Sequence, residues 1–349
     1  MINLLFVATL AVAFFFILSW AFRTLPGEKW QILAAIPSHK SASGQWHGTN
    51  ITSYGLIVAL SYLLSALLTL ILLGSVAVSI LQATILLLLM LVVVLPASRL
   101  VALAVEKKAA TFTVGGASFV GIVMAPWIAH FANVVGHGQG FSIPIIPTLA
   151  VFAIAYAFGE GFGRLGCVTF GCCYGKPLDQ CGPYVQKLFR TKHFVFVGHT
   201  KKIAYAANLQ GTKVVPIQAI TSVLYVVTGL LGVGLFLNAY YSPALVLTLG
   251  VTQLWRTYSE TLRADYRGSG KISAYQIMAL VSVVYALGAI NWFPPQAPIM
   301  PDLVSGLSSL WNPGAILFLQ VLWVGTFVYY GRSLVTRAQL SFHVCEEHI

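Results

Sequence analysis

The chain alternates long apolar runs with shorter polar interruptions. Stretches such as "LLFVATLAVAFFFILSWAF" and "LIVALSYLLSALLTLILL" contain no charged residue. Runs of about 20 apolar residues match a helix that crosses a bilayer. The pattern predicts nine spans, Asn3–Phe22, Ile51–Leu73, Val76–Leu95, Gly115–Val135, Ile143–Gly163, Pro216–Asn238, Ser242–Trp255, Ala274–Phe293 and Pro313–Tyr330. The predicted class is an all-α polytopic membrane protein, because in lipid the backbone polar groups must be satisfied within each segment. Two polar stretches interrupt the rhythm. Arg23–Asn50 contains "SHKSASGQWHGTN", and Lys176–Val215 is long enough for a small surface subdomain. No repeat period is visible. The first run lacks a basic leader and is followed by "RTLPGEKW" instead of a small-residue cleavage site. It is predicted to be a retained span.

Composition sharpens this picture. Of 349 residues, 58% are apolar and 8% charged, and mean hydropathy is +0.84. Soluble domains carry about 25% charged residues. The net charge of +11 does not point to nucleic acid, since no polar domain carries a basic face. It points to anionic headgroups or to a topology rule. All 20 Lys and Arg fall in alternate loops: Arg23–Asn50, Pro96–Val114, Arg164–Val215, Arg256–Ser273 and Gly331–Ile349. The opposite segments, the N-terminus, Gly74–Ser75, Gly136–Ser142, Ala239–Tyr241 and Pro294–Asn312, hold none. By the positive-inside rule the basic side is expected to be cytoplasmic.

Candidate chemistry gathers in two places. "GRLGCVTFGCCYGKP", Gly163 to Pro177, follows the fifth apolar run. Glu160 lies four residues before Arg164, a spacing that pairs them on a helix. Glycines 161, 163, 166, 171 and 175 permit close backbone approach. The alternative is a purely structural ion pair, or an arginine snorkelling to headgroups. In "WRTYSETLRADYR", Arg256, Glu260 and Arg263 stand at helical offsets that predict one shared face. A carboxylate between two guanidiniums would hold them while leaving N–H donors for an anion, with a phospholipid phosphate the natural choice. The alternative is a solvated charge run.

Weaker candidates are "GGASFVG", Gly115 to Gly121, which also suits tight helix packing, and Tyr54 at a span entrance, where aromatic belts are common. His130, His137, His193 and His199 show no ligand spacing. Cys167, Cys172, Cys173 and Cys181 cluster in sequence, with Cys345 apart. They lack the paired C-x-x-C of a zinc site. They are expected to pack as thiols, not to act as nucleophiles, and five thiols suit a reducing compartment. Neither metal nor cofactor is expected.

These segments, in order, resemble the bacterial prolipoprotein diacylglyceryl transferase family. "GRLGCVTFGCCYGKP" is similar to a cysteine-bearing form of its signature, G-R-x-G-N-F-x-N-G-E-x-x-G. "ITSYGLIVAL", "PASRLVAL", "GGASFVG", "VVPIQAIT", "WRTYSETLRAD" and "ISAYQIMAL" resemble its lesser motifs. The resemblance implies a seven-span core over residues 48–291, with a polar insertion at 176–215. Residues 1–47 would add an extra span and a polar linker, and 292–349 an extra span and a tail. It implies transfer of a diacylglyceryl group from phosphatidylglycerol, or a related anionic phospholipid, to a thiol in a bacterial inner membrane, with glycerol phosphate leaving. Arg164 and Arg256 would grip the phosphate, supported by Glu260 and Arg263. Gly166 and Gly175 would shape the loop and Tyr54 the entrance. Arg99, Gly115, Gly116 and Glu160 complete the expected lipid contacts.

The chain departs from the family pattern at several positions. Val120 stands for a His, Cys167 for an Asn and Cys172 for a Glu. Val215, Ile220 and Thr221 replace a His, a Tyr and a Glu, and Thr252 replaces a Tyr. The phosphate grip is kept, while polar groups expected near the acceptor are changed and no general base is assigned. Two other readings stand beside the lipoprotein one: a sister transferase with a different acceptor, and a non-catalytic lipid-binding protein. The resemblance also implies a site at the outer face, whereas the charge bias implies one facing the cytoplasm.

Overall fold

The computed structural model describes residues 1–107, 113–140, 142–265, 272–293 and 299–349, with Glu106 and Gln139 described by backbone alone. Lys108 and Lys271, counted in the charge bias, and the last two residues of "WRTYSETLRADYR" lie outside the described residues. In chain order the elements are α1 (Ile2–Thr24), β1 (Ile32–Lys40), β2 (Trp46–Thr52), α2 (Ser53–Ser75), α3 (Ile80–Glu106), α4 (Val114–Gly136) and α5 (Ile145–Phe170). The insertion holds α6 (Pro183–Phe189), β3 (Phe194–Val195), α7 (Lys202–Ala207) and β4 (Lys213–Val214). Then come α8 (Ile217–Phe236), α9 (Tyr241–Ser259), α10 (Ala274–Trp292), α11 (Leu303–Ser309), α12 (Pro313–Gly331) and β5 (Arg332–Leu340).

Each of the nine predicted runs is a helix. Eight are long and apolar enough to cross a membrane. The exception, α9, is less apolar because its buried face carries Thr248, Thr252, Gln253 and Arg256. The protein is thus mostly helical and multi-pass. Three runs are markedly longer than predicted: α3 continues through Pro96 to Glu106, α5 passes Gly163 to end at Phe170, and α9 runs past Trp255 to Ser259. The second difference matters, because it draws Glu160 and Arg164 into the body of a helix. At 1.5 Å per residue, Arg164 lies about 9 Å before the end of α5.

Helix α5 is central. Of its apolar stretch 67% is buried, against 11% for α1. It packs on α2, α8 and α9, while α12 leans on α2. The α2–α12 contact needs glycine at position 55, where a Cβ would lie 2.3 Å from the Cα of Gly331. Such small-residue contacts let membrane helices approach closely.

A small sheet joins the helices at one end of the bundle. β1, β2 and β5 form an antiparallel sheet in that order, so the polar linker and the C-terminal tail are paired with each other. Asn50 Nδ2 donates to Thr336 Oγ1 at 3.0 Å, and Thr52 Oγ1 donates to Gly331 O at 3.1 Å. Thr52 also caps α2, accepting from Gly55 N at 3.3 Å.

Hydrogen bonds sort the connecting segments into two ends. At the basic end Val197 N donates to Pro26 O at 3.1 Å, and Lys176 N to Leu262 O at 2.9 Å. Thr200 Oγ1 donates to Gln31 Oε1 at 2.9 Å. At the other end Asn3 Nδ2 donates to Leu237 O at 3.2 Å, and Asp302 N to Ser75 O at 2.8 Å. The two sets of segments alternate along the chain.

Lys201 pins the insertion to the bundle. It is fully buried, and its Nζ donates to Thr169 O at 2.6 Å and Leu25 O at 3.2 Å, at the ends of α5 and α1. Burial pushes its pKa down to about 8, with Glu28 acting in the opposite sense. A cation whose pKa falls on folding carries a penalty that is full below pH 8 and fades as pH rises toward the ordinary lysine value. The thermal midpoint should therefore rise between pH 7.5 and pH 9.5. That rise should shrink in Lys201→Met, and an equal rise in both proteins would refute the assignment.

Candidate functional site

Tyr156, Glu160 and Arg164 follow one another at four-residue intervals along α5 and so share a face. Helix α9 brings Arg256 against them. Arg164 Nη2 donates to Glu160 Oε1. Arg256 Nη1 reaches both carboxylate oxygens, at 2.8 and 3.0 Å, and donates to the Tyr156 hydroxyl at 2.9 Å. Gln253 Nε2 donates to the same hydroxyl at 3.3 Å. The side chains are nearly dry: Glu160 is 4% exposed, Arg256 8% and Arg164 12%. The predicted Glu160–Arg164 pair is present, and burial rules out a snorkelling arginine. One carboxylate holds two guanidiniums, yet a guanidinium has five N–H donors. Among the described residues, the buried Nε atoms of Arg164 and Arg256 have no hydrogen-bond partner.

The second predicted constellation needs correction. Helix α9 stops at Ser259, and a single 3-10 turn, Glu260–Leu262, follows it. Arg263 is extended, so Arg256, Glu260 and Arg263 do not share a helical face. Arg263 makes two hydrogen bonds to Asp265, at 2.8 and 2.7 Å, and meets Glu260 at 3.4 Å. Burial opposes the Arg263 charge, but Cys173, Asp265 and Glu260 outweigh it and raise its pKa above the ordinary arginine value. The carboxylate between two arginines is Glu160. Glu260 lies outside the cavity described next.

That cavity has a volume of about 1600 Å³. Ordinary small-ligand sites span roughly 300–1000 Å³. One end is polar, with Glu160, Arg164, Arg256 and Asp265. The remainder runs between apolar side chains of α3, α4 and α12, among them Leu87, Met90, Ile122, Phe318 and Leu322. Ser333 and Val335 of β5 line it at the basic end of the bundle.

The family model for prolipoprotein diacylglyceryl transferase matches residues 44–292, well over half the chain. The protein belongs to that family. A comparison with curated proteins finds no match.

The remaining residues expected from the transferase resemblance divide into two groups. Tyr54 lines the cavity, its ring centroid 5.6 Å from that of Phe170. Gly166 faces Tyr54, and a Cβ there would sit 3.3 Å from the ring. Gly175 pairs with Arg263 across a β-bridge. A Cβ on it would come within 2.3 Å of Val215 O, so only glycine fits. Of the other three, Gly115 also lines the cavity. A Cβ on Gly115 would meet the Tyr275 ring at 2.7 Å, and one on Gly116 would meet Val101 at 2.5 Å. Arg99 is exposed on α3 and stands 5.6 Å from the ring of Tyr329.

Sequence reasoning missed Tyr156, although its spacing before Glu160 was visible. It also missed the meeting of three thiols. Cys167, Cys172 and Cys173 have sulfur atoms within 4.8 Å of one another, beside Arg164 in the cavity wall. The cause is the helix cap. Gly171 is left-handed with φ +68°, its N donates to Val168 O at 3.3 Å, and Cys172 N donates to Cys167 O at 3.0 Å. This is a Schellman ending, which folds the residue after the glycine back over the one five positions earlier. Cys173 is also left-handed, with φ +54°, a conformation rare outside glycine. Gln218 Nε2 holds the turn by donating to Cys172 O at 2.8 Å. Cys181 lies outside the trio, its thiol donating to Pro177 O at 3.4 Å.

Proposed function

We propose that this family member binds phosphatidylglycerol, or a closely related anionic phospholipid, in the cavity and transfers its diacylglyceryl group. The observation that carries this reading is the cavity's polarity: buried guanidiniums with unused donors at one end, and an apolar path between helices for the rest. The phosphate would sit on Arg164 and Arg256, and the acyl chains along α3, α4 and α12. In the reaction the acceptor sulfur bonds to the terminal glyceryl carbon. The bond from that carbon to the phosphate oxygen breaks, its electron pair stays on oxygen, and glycerol phosphate leaves as the anion. Fixed arginines in a low-dielectric site stabilise the charge that develops on the departing phosphate. Glu160 serves as the positioning group that holds both arginines. A thiol is the acceptor on family grounds.

Phosphatidylglycerol labelled in its headgroup tests the proposal with the full-length protein in nanodiscs. Wild type should release labelled glycerol phosphate when an acceptor thiol is present. Arg164→Ala and Arg256→Ala should lose about 2–5 kcal/mol of lipid binding. Lysine at either position should rescue poorly, because it lacks the bidentate fork. Wild-type binding by both alanine variants would remove the clamp. Tight binding without release of glycerol phosphate would favour the lipid-binding reading over the transferase.

A further inference from the structure

We infer that Cys167, Cys172 and Cys173 form a three-thiolate site for one thiophilic d10 cation of the zinc type, with its fourth coordination position open to the lipid cavity. The expectation that these thiols merely pack rested on their spacing, which lacks C-x-x-C pairs. The helix cap replaces that spacing by bringing positions 167 and 172 together, and the left-handed turn at Cys173 adds the third sulfur. A zinc–sulfur bond of 2.3 Å with tetrahedral angles puts sulfur atoms about 3.8 Å apart. The three already lie within 4.8 Å of one another, so closure on an ion needs shifts of an ångström or less. All three are partly buried and line the cavity wall. Arg164 precedes Cys167 by one helical turn, and Arg263 lines a second small pocket together with Arg164 and Cys173. Arg164 belongs to a cluster of two guanidiniums and one carboxylate, whose surplus positive charge offsets the negative charge of a trithiolate centre. Gln218 supports the ligand loop from outside, as metal sites require of their surroundings.

Three protein ligands and one open position are the arrangement of zinc sites that act on substrate. Resting on the transferase reading above, the fourth ligand would be the acceptor thiol. A thiol that coordinates zinc loses its proton outright. The proton passes to solvent and the thiolate is held beside the phosphate clamp, so no general base is needed. Sulfur then attacks the glyceryl carbon, and the pair from the broken carbon–oxygen bond leaves with glycerol phosphate.

The test uses full-length protein purified under reducing conditions, exposed to zinc or cobalt(II) and freed of excess metal. Wild type, Cys181→Ser and Cys345→Ser should each retain about one zinc per chain, and Cys167→Ser or Cys172→Ser less than about a tenth of that. The cobalt form should show sulfur-to-metal charge-transfer bands, and a small thiol should change them by filling the open position. A folded wild type that retains no zinc, equal loss in Cys181→Ser, or a disulfide joining two of the three would overturn the site. A cobalt spectrum indifferent to added thiol would overturn the open position. Zinc retained without glycerol phosphate release would keep the metal site and overturn the transferase reading.

Discussion

Glu160→Gln will destabilise the protein by about 3–5 kcal/mol, the penalty for breaking a buried ion pair by removing one partner. The carboxylate is the only acid that the structure places between Arg164 and Arg256, among the described residues. Glutamine keeps the shape and loses the charge, so two guanidiniums at 12% and 8% exposure face each other without compensation. Water cannot replace the lost counter-charge cheaply at that depth. The measurement is the thermal midpoint in a mild detergent, together with the double variant Glu160→Gln, Arg256→Met. Removing the second charge should recover part of the loss, because residues in one network do not add independently. Glu260→Gln is the internal comparison. Arg263 keeps its two hydrogen bonds to Asp265, so that variant should lose less. An unchanged midpoint in Glu160→Gln would show that Glu160 does not neutralise the pair, and equal losses at 160 and 260 would deny it any special place.

The spans were legible because lipid imposes a long, uninterrupted apolar signal, and even short α9 shows in the pattern. Its charge-bearing end misled the reasoning. Offsets of 0, 4 and 7 identify a face only while the helix lasts, and the break at Ser259 takes Arg263 off the helix that carries Arg256. Nothing in "WRTYSETLRAD" marks that break with Gly or Pro. The Glu160–Arg164 pair was legible because its partners share one helix. That Arg256 joins them depends on packing between α5 and α9, which spacing does not encode. The sheet was missed for a different reason. "WHGTNIT" and "RSLVTRAQL" are nearly 300 residues apart and too polar to stand out beside the spans. The cysteine trio had a local signal after all: a glycine between Cys167 and Cys172, placed where a helix can end in a left-handed turn.

The largest consequence of the charge pattern is the side from which the cavity is reached. The basic-end segments are bonded to one another through the sheet, the insertion and the Lys176–Leu262 contact. Their opposite numbers at Asn3, Ser75 and Leu237 carry no Lys or Arg. Setting aside Arg164, Arg256 and Arg263 as functional leaves the bias whole, since every other Lys and Arg falls in the same alternate loops of the sequence. At about 1 kcal/mol per basic residue near an anionic inner leaflet, the preference is large. We therefore propose that the basic end, toward which Arg164 and the three thiols lie, faces the cytoplasm, with Ile349 inside and the N-terminus outside. The acceptor thiol would then belong to a cytoplasmic molecule, and a secreted cysteine would be a poor acceptor. Lys187 on α6 and Tyr240 beside α9 are exposed at opposite ends and serve as reporters. In a background lacking all five native cysteines, Lys187→Cys should resist a membrane-impermeant maleimide in intact cells and react once the membrane is opened. Tyr240→Cys should react at once. The reverse pattern would put the cavity mouth at the outer face and restore a secreted cysteine as acceptor. Gly211 is a less suitable reporter despite its exposure, because its φ of +76° would strain any cysteine placed there.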